Sequence, residues 1–466
     1  MWVATNLRIG ADRGGWVATT MQQSGLVLAQ SRSLRLFTLF ILYVGQGLPI
    51  GLFWFAIPAW MAANGAPAQD VGSVLALTAL PWTLKFINGF FMDRYTFLPM
   101  GRRRVWLLGA QGAMIAFLLA AMVINPGVSD VAVLGGIGFA VNMATTFQDV
   151  AVDGLAVDIM PEDERARGSG MMFGGQSIGI ASATALTGSV IGTYGAPAAF
   201  GIVAALVALL CLYIVLFKER VGERRLPWSE GAAHERNLGL QADSWWPILK
   251  STFSSLAKAQ SILWVPVLFG RGMLYGGMSG ATPLIGSNYL GWNEAEISSL
   301  TAPAGIVAGI LCLTLGGWLG DRYGAKRTGI GWLLFQLAMV ATMYALVPYW
   351  DDTRLFIAFV YCWISLDMLL TVSIQPISMR LCDTRVAATQ FTIYMALSNF
   401  GITFGAFMLS RIDSLGGLPS IFLVVGSGML MALILLLTAR YPRRPEHYEA
   451  VAAKLAQGES VSPRID

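Results

Sequence analysis

Apolar runs of about 20 residues or more recur along the whole chain, separated by short polar segments. That is the length at which a helix crosses a hydrocarbon layer roughly 30 Å thick. The runs fall at 34–62, 68–92, 105–125, 130–158, 165–193, 197–217, 262–290, 295–319, 328–347, 353–379, 386–412 and 418–440. In lipid each backbone polar group must be satisfied within its own segment, so these runs predict helices. Barrel strands would be shorter and would alternate apolar with polar. The expected fold is an all-α membrane protein of twelve transmembrane helices in two six-helix halves. Its domains are a tail 1–33, a half 34–217, a linker 218–261, a half 262–440 and a tail 441–466.

The positions of basic residues orient the bundle. One set of connections holds Arg94, Arg102 to Arg104, Arg165, Arg167, the segment from Lys218 to Lys258, Arg322, Lys326, Arg327, Arg380 and Arg385. The opposite set holds only Arg354 and Arg411, beside Asp351, Asp352 and Asp413. The basic side is expected to be cytoplasmic, with both termini there, in a bacterial inner membrane. The stretch before Leu34 lacks a compact apolar core and does not read as a signal peptide. Within the linker, Trp245, Leu249, Phe253 and Leu256 recur at helical intervals. Two readings stand for it, an amphipathic helix on the membrane surface and a solvated linker.

Composition narrows the function. Of 466 residues, 55% are hydrophobic and 12% charged, with a mean hydropathy of +0.61. Soluble proteins carry about 25% charged residues, so a soluble enzyme is excluded. The net charge of +4 gives no ground for nucleic-acid binding. Cys211, Cys312, Cys362 and Cys382 lie in or beside apolar runs without ligand spacing and read as small buried residues. His234 and His447 lie in polar segments, which leaves the spans without imidazole. Gly175-Gln176-Ser177-Ile178-Gly179 imitates a serine-nucleophile elbow, but it sits inside a span with no histidine partner. No phosphate-binding Gly-x-x-x-x-Gly-Lys motif occurs. The expectation is no enzyme, no cofactor and no metal. The expected partners are a small-molecule substrate and the lipid bilayer, with no nucleic acid, around a monomer.

An internal repeat supports two halves. Asp93-Arg94-Tyr95 closes the second run, with Gly101-Arg102-Arg103-Arg104 beyond it, and Asp321-Arg322-Tyr323-Gly324-Ala325-Lys326-Arg327 follows the eighth. Gly89 and Gly317 lie just upstream of each copy. Repeated halves are a common build of secondary transporters. These residues resemble the motif between spans two and three of the major facilitator superfamily. The first copy carries an insertion, Thr96 to Met100. With Lys85-Phe86, Gly47-Leu48-Pro49, Ala59-Trp60-Met61, Gln148-Asp149, Asp153, Asp158, Pro161, Glu164-Arg165, Gly168 and Ala388-Thr389-Gln390-Phe391, it looks like the AmpG muropeptide-permease family. A neighbouring branch that imports siderophores carries the same motifs. Characterised family members have two spans beyond twelve, and the runs read here predict none beyond the twelfth. The resemblance implies import, a cavity lined by spans one, four, seven and ten, and a gating role for Gly89, Asp93, Arg94, Arg102, Gly317, Asp321 and Arg322 through cytoplasmic ion pairs.

Ionisable residues inside spans are the strongest pointers from the residues themselves. Each costs at least about 2.5–3.5 kcal/mol at a helix centre, so each faces a cavity or a partner. Lys85 lies roughly 12 Å inside the cytoplasmic end of span two by helical rise. Asp149 and Asp153, one turn apart on span four, lie at a similar level. This set predicts an ion-paired cluster: either a static lock, or a proton-coupling site in which one carboxylate titrates, with Asp149 favoured as that carboxylate. Arg271 and Asp367 fall near mid-depth of spans seven and ten. A permanent guanidinium there suits a carboxylate-bearing substrate, with Asp367 holding it when the site is empty and itself a proton-coupling candidate; a plain structural pair is the alternative. Gln46, Gln176 and Gln375 are candidates for substrate hydrogen bonds or for bridges between helices. Three classes remain: an ion-coupled transporter, a lipid or pigment-precursor carrier, and a non-transporting receptor or assembly factor.

Overall fold

A computed structural model describes residues 26–240, 244–292, 294–409 and 411–441. The described part is built of helices, and His447 and most of both expected tails lie outside it. Helix α1 runs Arg32–Ile50, continues through a π-helical stretch at Gly51–Ala56 and ends as Ile57–Ala63. Helix α2 comprises Ala68–Leu84 and Phe86–Arg94, bent by 45° at Lys85. The first half continues with α3 (Arg104–Ile124), α4 (Val131–Ile159), α5 (Arg165–Tyr194) and α6 (Ala196–Leu216). The second half has α7 (Ala259–Leu290) and α8, which runs Glu294–Leu311, through a π-helical Cys312–Gly316, to Gly317–Tyr323. It closes with α9 (Ala325–Ala345), α10 (Thr353–Leu381), α11 (Ala387–Leu409) and α12 (Ser420–Thr438).

Among the described residues, nine of these helices are long and apolar enough to cross a membrane, and the bent α2 would make ten. Helices α5 and α7 are 30 and 32 residues long, but glycine and polar residues dilute their apolar character. The irregularities follow from proline. Pro49 and Pro58 flank the π-helical stretch of α1, and Pro81 precedes the break in α2 by one turn. Each ring removes a backbone donor and frees a carbonyl in the preceding turn. Asp321 and Arg322 lie within α8 rather than beyond it, because the helix continues four residues past the expected end at 319.

Small residues set the packing within each half. A Cβ at Gly47 of α1 would lie 2.5 Å from the Ile180 nitrogen of α5, so these backbones touch. Helix α11 meets α7 in the same way, through Gly276 against the Ile402 carbonyl. The bundle's outer surface carries large apolar side chains such as Leu209, Leu212, Phe335 and Leu437. Cys362 is exposed on the outer face of α10, against the expectation that all four cysteines are buried. An apolar face needs no burial in protein where hydrocarbon is its solvent.

The two halves meet most firmly at the arginine-rich end. Asp93 of α2 accepts hydrogen bonds from the backbone N–H and the hydroxyl of Thr389 on α11, both at 2.9 Å. Arg102 donates to the carbonyls of Thr384 and Arg385, both at 2.5 Å. Arg167 on α5 pairs with Asp321 on α8 at 3.1 Å, and Arg380 pairs with Glu162.

Candidate functional site

Seven helices converge on a cavity of about 190 Å³. Its first-half wall carries Tyr43 and Gln46 from α1, Trp82 and Lys85 from α2, Asp149 and Asp153 from α4, and Phe173 and Gln176 from α5. The second half adds Arg271 from α7, Gln375 from α10 and Asn399 from α11. The sequence candidates Lys85, Asp149, Asp153, Gln46, Gln176, Arg271 and Gln375 thus share one wall system. Asp367 does not line the cavity and lies directly behind Arg271.

The bend in α2 places Lys85 where it can reach α4. Its Nζ donates to Asp149 Oδ2 at 3.0 Å, and Gln46 Nε2 donates to Asp149 Oδ1 at 2.7 Å. Asp149 therefore has both oxygens engaged. The Gln46 Oε1 atom is buried without a hydrogen-bond partner among the described residues. Lys85 Nζ also lies 5.7 Å from the Trp82 ring centroid, and Trp82 is fixed by donating to Asn142 Oδ1 at 3.0 Å. Asp153, one turn on, accepts from the Tyr43 hydroxyl at 2.5 Å. Lys85 thus joins one of the two aspartates rather than bridging both.

In the second half, Arg271 Nε and a terminal nitrogen donate to the two Asp367 oxygens at 3.0 and 2.5 Å. The Arg271 side chain is 16% exposed and that of Asp367 1% exposed. The guanidinium thus shows an edge to the cavity while the carboxylate stays behind it. Tyr275 covers Arg271 with its ring centroid at 5.4 Å. Gln375 donates to the Met395 sulfur at 3.4 Å. Gln176 lines the cavity, and the adjacent Ser177 bonds to the Met368 sulfur at 3.7 Å.

The motif residues expected to gate form two clusters. Asp93 takes Arg102 at 3.3 Å and Arg103 at 2.9 Å, and the same arginines reach Asp158 of α4 at 3.4 and 3.0 Å. Gly89 allows this approach, since a Cβ there would stand 2.7 Å from Thr389 Cα. At Gly317 a Cβ would meet Arg167 Cα at 2.6 Å. Arg94 and Arg322 lie against rings, Tyr95 at 5.0 Å and Trp318 at 5.4 Å. Behind the first cluster, Glu219 accepts the backbone N–H groups of Arg102, Arg103 and Arg104 at 2.8, 2.7 and 2.5 Å. It thereby caps the start of α3. Glu223 lies fully buried nearby, accepting from Asn237 Nδ2 at 3.1 Å and from the Arg220 N–H at 2.9 Å. Burial, and then the charge of Glu219, push its carboxyl up to about 8.

Sequence reasoning missed Tyr43, Trp82, Phe173 and Asn399. Tyr43 could have been found, because it lies three residues before Gln46 on one helix face. The aromatic residues carry no charge to mark them in an apolar run.

A bundle of membrane-length helices in two halves, closed at one end by ion pairs around a charged central cavity, is the build of a membrane transporter. The chain belongs to the Major Facilitator Superfamily, whose sequence profile matches residues 39–406. It is similar to the anhydromuropeptide permease of Escherichia coli K12, with 24% identity over 405 residues, covering 86% of this chain and 79% of that protein. Putative transporter AmpG 4 of Rickettsia conorii is 24% identical over 384 residues, covering 78% and 86%. Among solved structures, the fucose transporter FucP in its outward conformation superposes with a TM-score of 0.65 at 12% identity, covering 86% and 98%. The human organic anion transporter MFSD10 superposes at 0.66 with 13% identity, covering 87% and 100%. The protein is a multi-pass membrane transporter.

Proposed function

We propose that this chain is a proton-coupled importer of an anionic, carboxylate-bearing solute of the anhydromuropeptide kind. It acts in the bacterial inner membrane with both termini in the cytoplasm. The observation that carries the reading is Arg271, a permanent cation presenting an edge to the cavity while Asp367 holds its other side. A guanidinium makes paired hydrogen bonds to carboxylate, so an incoming acid can share Arg271 with Asp367. On the opposite wall Lys85 offers a second cation, and Trp82, Tyr43 and Phe173 supply faces for a ring or an apolar group. The carboxylates in this cavity give the solute's charge a proton to travel with. Similarity to anhydromuropeptide permeases over 86% of the chain supports this solute class ahead of a siderophore.

The cycle follows from the gate. With the Asp93–Thr389 and Arg167–Asp321 contacts formed, the cytoplasmic end is shut, and their rupture lets the halves rock open inward. The test is uptake of a labelled anhydromuropeptide into proteoliposomes holding the purified protein. An imposed inward proton gradient is expected to drive accumulation, and a protonophore to abolish it. Equal uptake with and without the gradient would overturn the coupling. Saturable uptake of a siderophore in place of the muropeptide would overturn the solute class.

A further inference from the structure

The charges around the cavity do not balance. Two cations, Lys85 and Arg271, face three carboxylates, Asp149, Asp153 and Asp367. Lys85 is committed to Asp149 at 3.0 Å and Arg271 to Asp367 at 2.5 Å. Among the described residues Asp153 has no cation in ion-pair range, and its hydrogen bond is to the neutral Tyr43 hydroxyl at 2.5 Å. The groups that face it are Tyr43 from α1, Lys85 from α2 and Asp149 on its own helix, with Arg271 on the far wall. Helices α5 and α11 line the cavity with Phe173, Gln176, Met395, Ser398 and Asn399, none of them ionisable. A buried carboxylate without a cation is costly, and such a group takes up a proton instead.

We propose that Asp153, positioned by Tyr43, holds the single coupling proton of the transport cycle, and that Asp149 does not. This refines the proton-coupled reading above and rests on it. With Asp153 a neutral acid, the two cations and two remaining carboxylates cancel. The proton arrives with the outward-facing cavity. When the arginine-rich end opens, Asp153 is the nearer of the two aspartates to that end, by one helical turn, and releases its proton to cytoplasmic water. The carboxylate left behind draws Lys85 from Asp149 into a shared position, which weakens the cation's hold on a bound acid. One proton enters and one leaves per turnover. Tyr43 is a positioning residue: its hydroxyl fixes the Asp153 rotamer toward α1.

The test uses infrared difference spectra of the purified full-length protein across a pH titration, which need no substrate. Wild type and every variant carry Glu223→Gln, which removes the linker's own protonated carboxyl, and a carboxylic-acid carbonyl band is expected in that background at neutral pH. It is expected to vanish in Asp153→Asn and persist in Asp149→Asn. In Tyr43→Phe, which removes only a hydroxyl, the band is expected to shift with the lost hydrogen bond, a change that a merely structural tyrosine would not produce. Gradient-driven accumulation of the anhydromuropeptide should fall at least tenfold in Asp153→Asn. A band that survives Asp153→Asn, or disappears in Asp149→Asn, overturns the proposal whatever uptake does. Wild-type uptake indifferent to the gradient would instead overturn the coupled reading, with the infrared result still deciding where the proton sits.

Discussion

Asp93 and Thr389 lie 296 residues apart and join the two halves through two hydrogen bonds to a single carboxylate oxygen, each 2.9 Å long. The other Asp93 oxygen holds Arg102 and Arg103 at 3.3 and 2.9 Å. One side chain thus satisfies its own half's arginines and the first turn of α11 at once. Any separation of the halves at this end would give up the Thr389 bonds and the Arg102 bonds to the Thr384 and Arg385 carbonyls, while Asp93 keeps its two arginines.

Thr389→Val removes the hydroxyl bond and leaves the backbone bond in place. One hydrogen bond to a charged acceptor contributes about 1.5–3 kcal/mol. The population closed at the arginine-rich end is therefore expected to fall by about tenfold or more relative to the open one. Spin-label distances between the ends of α2 and α11 would report it. Gly89→Ala is expected to open the same seam by a steric route, because its Cβ would press on Thr389 Cα at 2.7 Å. Unchanged distance distributions in both variants would remove this contact from the gate.

Arg271→Lys keeps the charge and loses the fork. Asp367 stays paired, so folding should survive, while affinity for a carboxylate-bearing solute is expected to drop about tenfold to a hundredfold. Arg271→Ala is a different case, since it strands Asp367 in a site where it is 1% exposed. That loss is worth about 3–5 kcal/mol of stability, and Arg271→Ala with Asp367→Asn should recover most of it. Thermal unfolding of the two variants separates solute binding from charge burial. A double variant no more stable than the single one would contradict the pairing argument.

The twelve apolar runs, the two motif copies and the intramembrane charges were legible because each is a strong deviation from what lipid tolerates. A lysine or aspartate in an apolar run stands out one residue at a time. Pairing was not legible at that level. Lys85 was placed at the level of both aspartates, yet its partner follows from the 45° bend of α2 and the rotamer that Gln46 supports. Tyr43 and Trp82 were invisible for a related reason. Aromatic residues are ordinary on lipid-facing and core faces alike, and only the cavity singles them out. The role of Glu219 was hidden because its partners are backbone N–H groups, which no side-chain pattern announces.

Glu223 is expected to make the linker between the two halves pH-sensitive. Its carboxyl is pushed up to about 8 from an ordinary 4.5, first by burial and then by Glu219. Between those values the folded chain holds a proton that the unfolded chain releases. Its contribution is fully present below about 4.5 and is lost as pH rises through about 8. The unfolding temperature of the purified protein is expected to decline from mildly acidic to mildly alkaline buffer, and Glu223→Gln to flatten that decline. A decline of the same slope in Glu223→Gln would show that another group is responsible.

The linker helix Trp245–Leu256 packs against the end of α2 from outside. Trp245 meets Phe91 and Tyr95 at the end of α2 edge-to-face, with centroids 5.7 and 5.6 Å apart. Ile248, Thr252 and Ser255 turn inward, while Trp246 and Phe253 are 72% and 66% exposed on the opposite face. The helix ends three residues before α7 begins, so its height is fixed at the basic end of the bundle. An apolar face at that height, with Lys250 beside it, suits the headgroup boundary. Each aromatic pair is worth about 0.5–1.5 kcal/mol beyond its area. Trp245→Ala is expected to loosen α2 against its cover and raise hydrogen exchange in residues 86–95. Trp246→Ala with Phe253→Ala should leave that segment protected and reduce only the protection of 245–256. Were the two variants to loosen the same segments equally, the helix would be acting as one unit of the gate rather than as a brace with a membrane face and a protein face.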